Sequence, residues 1–238
     1  MVLNASFIIL NLLSNPDDSL MYTSQPPPPP RPFRGYEHIK RYWDHNHNSY
    51  VAKILPGEYY VTRHGEIMMT VVGSCVAACI RDSITGIGGM NHFMLPTKTL
   101  ESPNHQWEAT GVNAATRYGS YAMEHMINEI LKYGGRRERL EVKLFGGGKI
   151  MNNMANVGLQ NIEFVKDYVD VEGLNLLAED LGDIYPRKIL FYPTTGRVRV
   201  KKLRAMQQTV LEQAVLQREN AYRRSLEKQP IEGDIELF

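Results

Sequence analysis

The apolar positions change period several times along the chain, and each change marks an element. Glu58-Tyr59-Tyr60-Val61-Thr62 is rich in strand formers, and Ile67–Val72 is a compact apolar run closed by Gly73. Residues 76–81 and 87–95 read as two further strands, joined by the turn Asp82-Ser83-Ile84-Thr85-Gly86. Ala115, Tyr118, Ala122, Met126 and Ile130 then recur at three- and four-residue intervals. That spacing is one face of a helix, which Gly134-Gly135 ends. Residues 140–145 form a short strand feeding the run Gly146-Gly147-Gly148. Asn161 is expected to cap a second helix whose Ile162, Val165 and Val169 face the core and which Gly173 ends. Residues 174–179 read as a strand, and 187–192 and 197–202 as a hairpin around Pro193-Thr194-Thr195-Gly196. Hairpins interrupted by two helices predict an α+β fold, a layered sandwich of mixed and antiparallel sheets with helices packed on one side.

Both ends lack this patterning. Residues 1–50 read as an N-terminal extension with a proline-rich linker, 51–203 as the folded domain, and 204–238 as a helical tail. The prolines at 26–30 favour a stiff polyproline II spacer. Residues 36–50 are polar and aromatic, and a surface segment is expected there; His45-Asn46-His47 lacks the partners a metal site needs. Residues 2–13 are apolar, but too short to span a bilayer and without the flanks of a secretory signal. In the tail, Leu203, Met206, Val210, Ala214 and Gln217 make only a thin stripe. It predicts a largely solvated or partner-binding helix, with residues 229–238 frayed.

Composition narrows the classes. The 238 residues are 43% hydrophobic, enough for a core, and the net charge of +1 is no nucleic-acid footprint. Two cysteines, Cys75 and Cys79, are too few for a disulfide framework, and both are expected to be reduced, as in a cytoplasmic protein. Membrane insertion is not expected.

Cys75 follows Gly73-Ser74 at a strand junction. If residues 82–85 form a four-residue loop, Arg81 pairs with Gly86 and Cys75 lies opposite His92. Opposed residues on antiparallel strands have Cβ atoms about 5 Å apart, so thiol and imidazole are brought together. An imidazole that takes the thiol proton makes a nucleophile able to attack an amide carbonyl. Thr70 is the nearest hydroxyl, besides Ser74, able to orient the ring. Backbone amides near Ser74 and Cys75 are oxyanion-hole candidates. Pattern alone leaves a second reading open, in which Cys75 is a small core residue and His92 a satisfied buried histidine. Cys79 is expected to be core. Gly146-Gly147-Gly148-Lys149 lacks the phosphate-loop pattern and reads as a tight turn.

The blocks Gly73-Ser74-Cys75-Val76-Ala77 and Gly88-Gly89-Met90-Asn91-His92-Phe93-Met94-Leu95-Pro96 resemble the signature of the CheD family. So do Asn113 with Arg117-Tyr118-Gly119, Lys143-Leu144-Phe145-Gly146-Gly147, and Asn161 with Phe164-Val165. The resemblance runs from about residue 54 to 203. It implies a chemoreceptor glutamine deamidase with Cys75 as nucleophile, His92 as general base and Thr70 as third catalytic residue. Gly73, Ser74, Asn91, Gly146 and Gly147 are then substrate-binding or oxyanion candidates, with no metal or cofactor required. The implied substrates are methyl-accepting chemotaxis receptors, whose glutamines become glutamates during adaptation, and a CheC-type phosphatase is an implied partner. The alternative is an adaptor or regulatory module that binds receptors or that phosphatase.

Overall fold

A computed structural model describes residues 26–95, 114–149, 157–203 and 208–228. Its strands are β1 (Lys40–Asp44), β2 (Ser49–Lys53), β3 (Tyr59–Thr62), β4 (Ile67–Val72), β5 (Val76–Asp82), β6 (Gly88–Asn91), β7 (Leu140–Gly146), β8 (Asn175–Leu181), β9 (Arg187–Tyr192) and β10 (Arg197–Lys202). The helices are α1 (Ala114–Lys132), α2 (Val157–Val171) and α3 (Gln208–Lys228). The strands form two five-stranded sheets, ordered β1-β2-β4-β9-β10 and β3-β6-β5-β7-β8. Among the described strands, only the β2–β4 and β7–β8 pairs run parallel. The fold is the expected α+β sandwich, with α1 and α2 on the second sheet.

Strand alternation explains how the sheets stack. In β4, Met68 and Val72 enter the main core, while Ile67 and Met69 join Val51 in a small cluster on the opposite face. In β9, Ile189 and Phe191 point inward, and Leu190 and Tyr192 pack on that outer cluster. The second sheet contributes Ala78, Ile80, Val142 and Leu144 to the main core. On its helical side, Met123, Met126 and Ile130 of α1 are buried at the predicted spacing.

The structure departs from the sequence expectations at four places. The β5–β6 register is shifted by two residues: Arg81 pairs with Gly88 and Val76 bridges Phe93. Cys75 is therefore not directly opposite His92 but one step beyond the strand. The turn closes later because Asp82 Oδ1 accepts from the N–H groups of Ile84 and Thr85, which leaves residues 83–86 as the loop. A shift of two keeps the side-chain faces, so the two residues still meet. Second, Asn161 is not a cap: α2 starts at Val157, and Asn161 is buried in its interior. Third, residues expected to form a surface segment make the β1–β2 hairpin, half-exposed at the edge of the first sheet, with Tyr36 and Ile39 in the core ahead of it. Fourth, α3 is largely solvated, as expected, but the face it buries is not the expected stripe. It packs on this chain through Val215, Glu219 and Leu226, while Gln217 of the expected stripe is exposed. Met206 and the side chain of Val210 of that stripe, the segment 2–13 and Asn113 with the side chains of Arg117 and Tyr118 lie outside what is described.

Asp82 anchors the turn. Oδ2 accepts from the Arg136 N–H at 2.9 Å and Arg139 Nε at 2.8 Å, and the carboxylate is fully buried. Burial favours the neutral acid, but these donors outweigh it and push the carboxyl down to about 2. The depressed value makes the contribution to stability full above the unfolded-state pKa of about 3.9. It is lost as pH falls from there through about 2. Asp82→Ala is expected to cost about 3 kcal/mol in urea unfolding at neutral pH, with the gap to wild type shrinking from about pH 4 down to about pH 2. A pH-independent gap would refute the charged-anchor role.

Candidate active site

The chain changes sheets at residues 73–75, between β4 of the first sheet and β5 of the second. Gly73, Ser74 and Cys75 form this crossing. Two backbone contacts from the glycine run hold it from below: Gly147 N–H donates to Cys75 O at 2.8 Å and Gly148 N–H to Gly73 O at 2.7 Å. A third comes from α2, where Asn161 Nδ2 donates to Ser74 O at 2.9 Å while its Oδ1 accepts from Leu95 N–H at 2.8 Å. With the carbonyls of all three crossing residues engaged, their N–H groups are left to face the other way.

His92 follows β6. Its backbone is fixed by Gly57 N–H donating to its carbonyl and by its own N–H donating to Glu58 O. Thr70 Oγ1 lies 2.8 Å from His92 Nδ1 and 2.8 Å from Ile54 O. A hydroxyl has one proton, and the Ile54 carbonyl can only accept it. The Thr70 oxygen therefore accepts from Nδ1–H. This network assigns the Nδ1–H tautomer and leaves the Nε2 lone pair free. Nε2 is buried without a hydrogen-bond partner among the described residues. Burial pushes the imidazole down to about 3, so the ring is neutral at physiological pH.

Glu219 of α3 completes the cluster. One Cys75 Sγ, one His92 ring nitrogen and one Glu219 carboxylate oxygen lie within 4.8 Å of one another. The carboxylate is gripped by the crossing: Oε1 accepts from Gly73 N–H at 2.6 Å and Cys75 N–H at 3.4 Å, and Oε2 from Ser74 N–H at 3.0 Å and Ser74 Oγ at 2.7 Å. Successive N–H groups aimed at one point make an anion-binding nest. Burial, and then the charge and hydrogen bond of Glu219, push the Cys75 thiol well above its usual range. The site is closed: Cys75, His92 and Glu219 are 0%, 1% and 3% exposed.

The structure thus brings Thr70, Gly73, Ser74, Cys75 and His92 together. Gly146 and Gly147 lie against the backbone of Cys75. A Cβ on Gly146 would stand 2.2 Å from Cys75 O. Asn91 is placed elsewhere: its Oδ1 accepts from Ala78 N–H and its Nδ2 donates to Ala122 O, which ties β5 to α1. Its amide is thus engaged in holding the fold rather than turned toward Cys75. Cys79 is buried in the core, where burial pushes its thiol up, opposed in part by Lys143. Two residues of the site are not legible as such from the sequence. Asn161 has the residue type of a cap. Glu219 lies in a tail with no evident core face, although Val215, Glu219, Tyr222 and Leu226 share a helical stripe once Glu219 is allowed to point inward.

A family profile described as CheD chemotactic sensory transduction matches residues 94–202. A protein of Halorhodospira halophila named "Probable chemoreceptor glutamine deamidase CheD" is 51% identical over 205 residues, 86% of this chain and 92% of its own. One of the same name from Hydrogenovibrio crunogenus is 50% identical over 186 residues, 78% of this chain and 93% of its own. Another from Hahella chejuensis is 44% identical over 214 residues, 90% of this chain and 97% of its own. With this identity over nearly the whole length of its relatives, the chain belongs to the CheD family.

Proposed function

We propose that this protein deamidates glutamine side chains of methyl-accepting chemotaxis receptors in the cytoplasm, through a thioester on Cys75. The observation that carries the reading is the line Ile54 O, Thr70 Oγ1, His92 Nδ1, which leaves the lone pair of the other ring nitrogen free of any partner among the described residues, beside the Gly73–Cys75 loop. His92 takes the Cys75 thiol proton as sulfur attacks the carboxamide carbon. The C–S bond forms and the carbonyl electron pair moves to oxygen. That oxygen is met by the N–H groups of Gly73 and Cys75, where Oε1 of Glu219 now accepts both, with the Ser74 N–H, now on Oε2, beside them. As the tetrahedral species collapses, the C–N bond breaks and ammonia leaves with the proton from His92. A water, deprotonated by His92, then attacks the thioester. The C–S bond breaks, the sulfur regains its proton, and the product is glutamate. Thr70 holds the ring in the tautomer that both half-reactions need.

No described helix is long and apolar enough to cross a membrane. The proposed reaction would convert neutral side chains into carboxylates that can be methylated, and so would serve receptor adaptation. A CheC-type phosphatase is a partner that the family resemblance adds. The test is incubation of the purified chain with a receptor cytoplasmic fragment, followed by peptide mass spectrometry. The expected result is the amide-to-acid mass change at specific glutamines, with release of ammonia in equal amount. Binding of the fragment without any mass change would overturn the enzymatic reading and leave an adaptor.

A further inference from the structure

The residue in the oxyanion nest is a glutamate, the side chain that the proposed reaction produces, and it is presented from a helix. It belongs to the chain itself. Glu219 is buried, yet no cation forms an ion pair with it among the described residues; its charge is met by three backbone N–H groups and the Ser74 hydroxyl. A buried carboxylate without a counter-ion is costly unless the place it enters is built for negative charge. The nest at the nucleophile is such a place.

The rest of α3 is seated to match. Val215, one turn before Glu219, lines a small space together with Ile54, Leu55, Pro56, Met69 and His92. Tyr222, one turn after, packs on Gly57: a Cβ there would stand 2.5 Å from its ring. Leu226, a further turn on, is buried. Positions 215, 219, 222 and 226 form one stripe of the helix. Gly57 is also the residue whose N–H holds the His92 carbonyl, so α3 lies directly on the loop that fixes the catalytic ring. The space left at the seam is about 20 Å³, too small for anything beyond a water.

We infer that α3 is a product analogue in cis: it occupies the groove that receives a substrate helix, with Glu219 standing where a deamidated glutamine side chain rests, and it competes with substrate for that groove. This deepens the deamidase reading and rests on it. The groove then selects a glutamine on an amphipathic helix, flanked by an apolar residue one turn before and by an aromatic or apolar residue one turn after. Displacing α3 also removes the carboxylate beside the thiol, so substrate entry and nucleophile activation are one event. A helix bound in cis reduces the open fraction and raises the apparent KM by the same factor, while kcat is unaffected.

The test uses the full chain as wild type, Glu219→Ala, Glu219→Gln and Cys75→Ala/Glu219→Gln. Deamidation of a receptor cytoplasmic fragment by Glu219→Ala is expected to show a KM lowered about tenfold or more at similar kcat. The Glu219→Gln chain presents the substrate side chain to its own nucleophile. Intact-mass and peptide mapping are expected to find glutamate regenerated at position 219, and glutamine retained when Cys75 is alanine. Iodoacetamide labelling of Cys75 at neutral pH is expected to be several-fold faster in Glu219→Ala, since displacement both uncovers the thiol and removes the charge that raises its pKa. If Glu219 were only a structural anchor, Glu219→Ala would lower thermal stability and leave KM and labelling unchanged, and the glutamine introduced by Glu219→Gln would persist; that combination overturns the inference. Faster labelling with no deamidation by any variant would instead keep the occlusion and sink the deamidase reading. Glu219→Gln is nearly isosteric, so its self-conversion can be read even if the alanine variant folds poorly.

Discussion

Cys75→Ala is expected to lower receptor deamidation by a factor on the order of 10⁴ or more without unfolding the chain. The side chain is small and fully buried at the sheet crossing, and alanine removes only the sulfur. The backbone that holds it, through Gly147 to the Cys75 carbonyl, is untouched. Thermal unfolding should therefore stay within a few degrees of wild type while the initial rate, followed by ammonia release, falls to background. His92→Ala should cost about 10²- to 10⁴-fold, the usual contribution of a positioned acid–base group. In the proposed mechanism cysteine and histidine act as a unit, so the double variant should be scarcely slower than Cys75→Ala alone. Additive losses would mean that the two residues act in separate steps. Residual turnover in Cys75→Ala within about tenfold of wild type would move the nucleophile elsewhere, with the Ser74 hydroxyl the nearest alternative at this nest.

The second large effect is structural. Gly146→Ala is expected to destabilise the chain by about 3 kcal/mol or more in urea unfolding. Two causes act together. Gly146 has φ +115°, a conformation that L side chains rarely adopt. Its Cβ would also stand 2.2 Å from the Cys75 carbonyl oxygen and 3.0 Å from Val72 Cγ2, and the first of these is backbone that cannot swing aside. Any relief must push the Cys75 peptide, and with it the N–H groups that form the nest, so activity per folded molecule should fall as well. Gly182→Ala is the control. Its φ is also positive, at +77°, but nothing lies within 4 Å of the added carbon. It should cost only the backbone strain, about 1 kcal/mol, and leave the rate per folded molecule unchanged. Equal losses in the two variants would show that the close approach at Gly146 carries no special weight.

The elements whose signal is local are legible from the chain alone. β4 is a run of strand formers closed by a glycine, and α1 is a repeating apolar stripe; both lie within a residue or two of the positions the pattern predicts. The pairing of Cys75 with His92 is also reachable, because hairpin geometry is short-range and the two-residue error in register preserves the side-chain face. That error comes from a turn whose hydrogen bonds to Asp82 cannot be counted from loop length. Asn161 shows the first limit. Its residue type suits a cap, but a polar side chain buried in the middle of a helix is recognised only when its partners, Ser74 and Leu95, are known. Those partners lie 87 and 66 residues away in sequence. Glu219 shows the second. Periodicity assigns charged residues to the solvated face, so a glutamate counts as an interruption of the apolar stripe of α3 rather than a member of it. Its place in the nest follows from a contact across 146 residues with Gly73. A buried carboxylate needs donors that no nearby residue supplies, and the folded sheet crossing provides them.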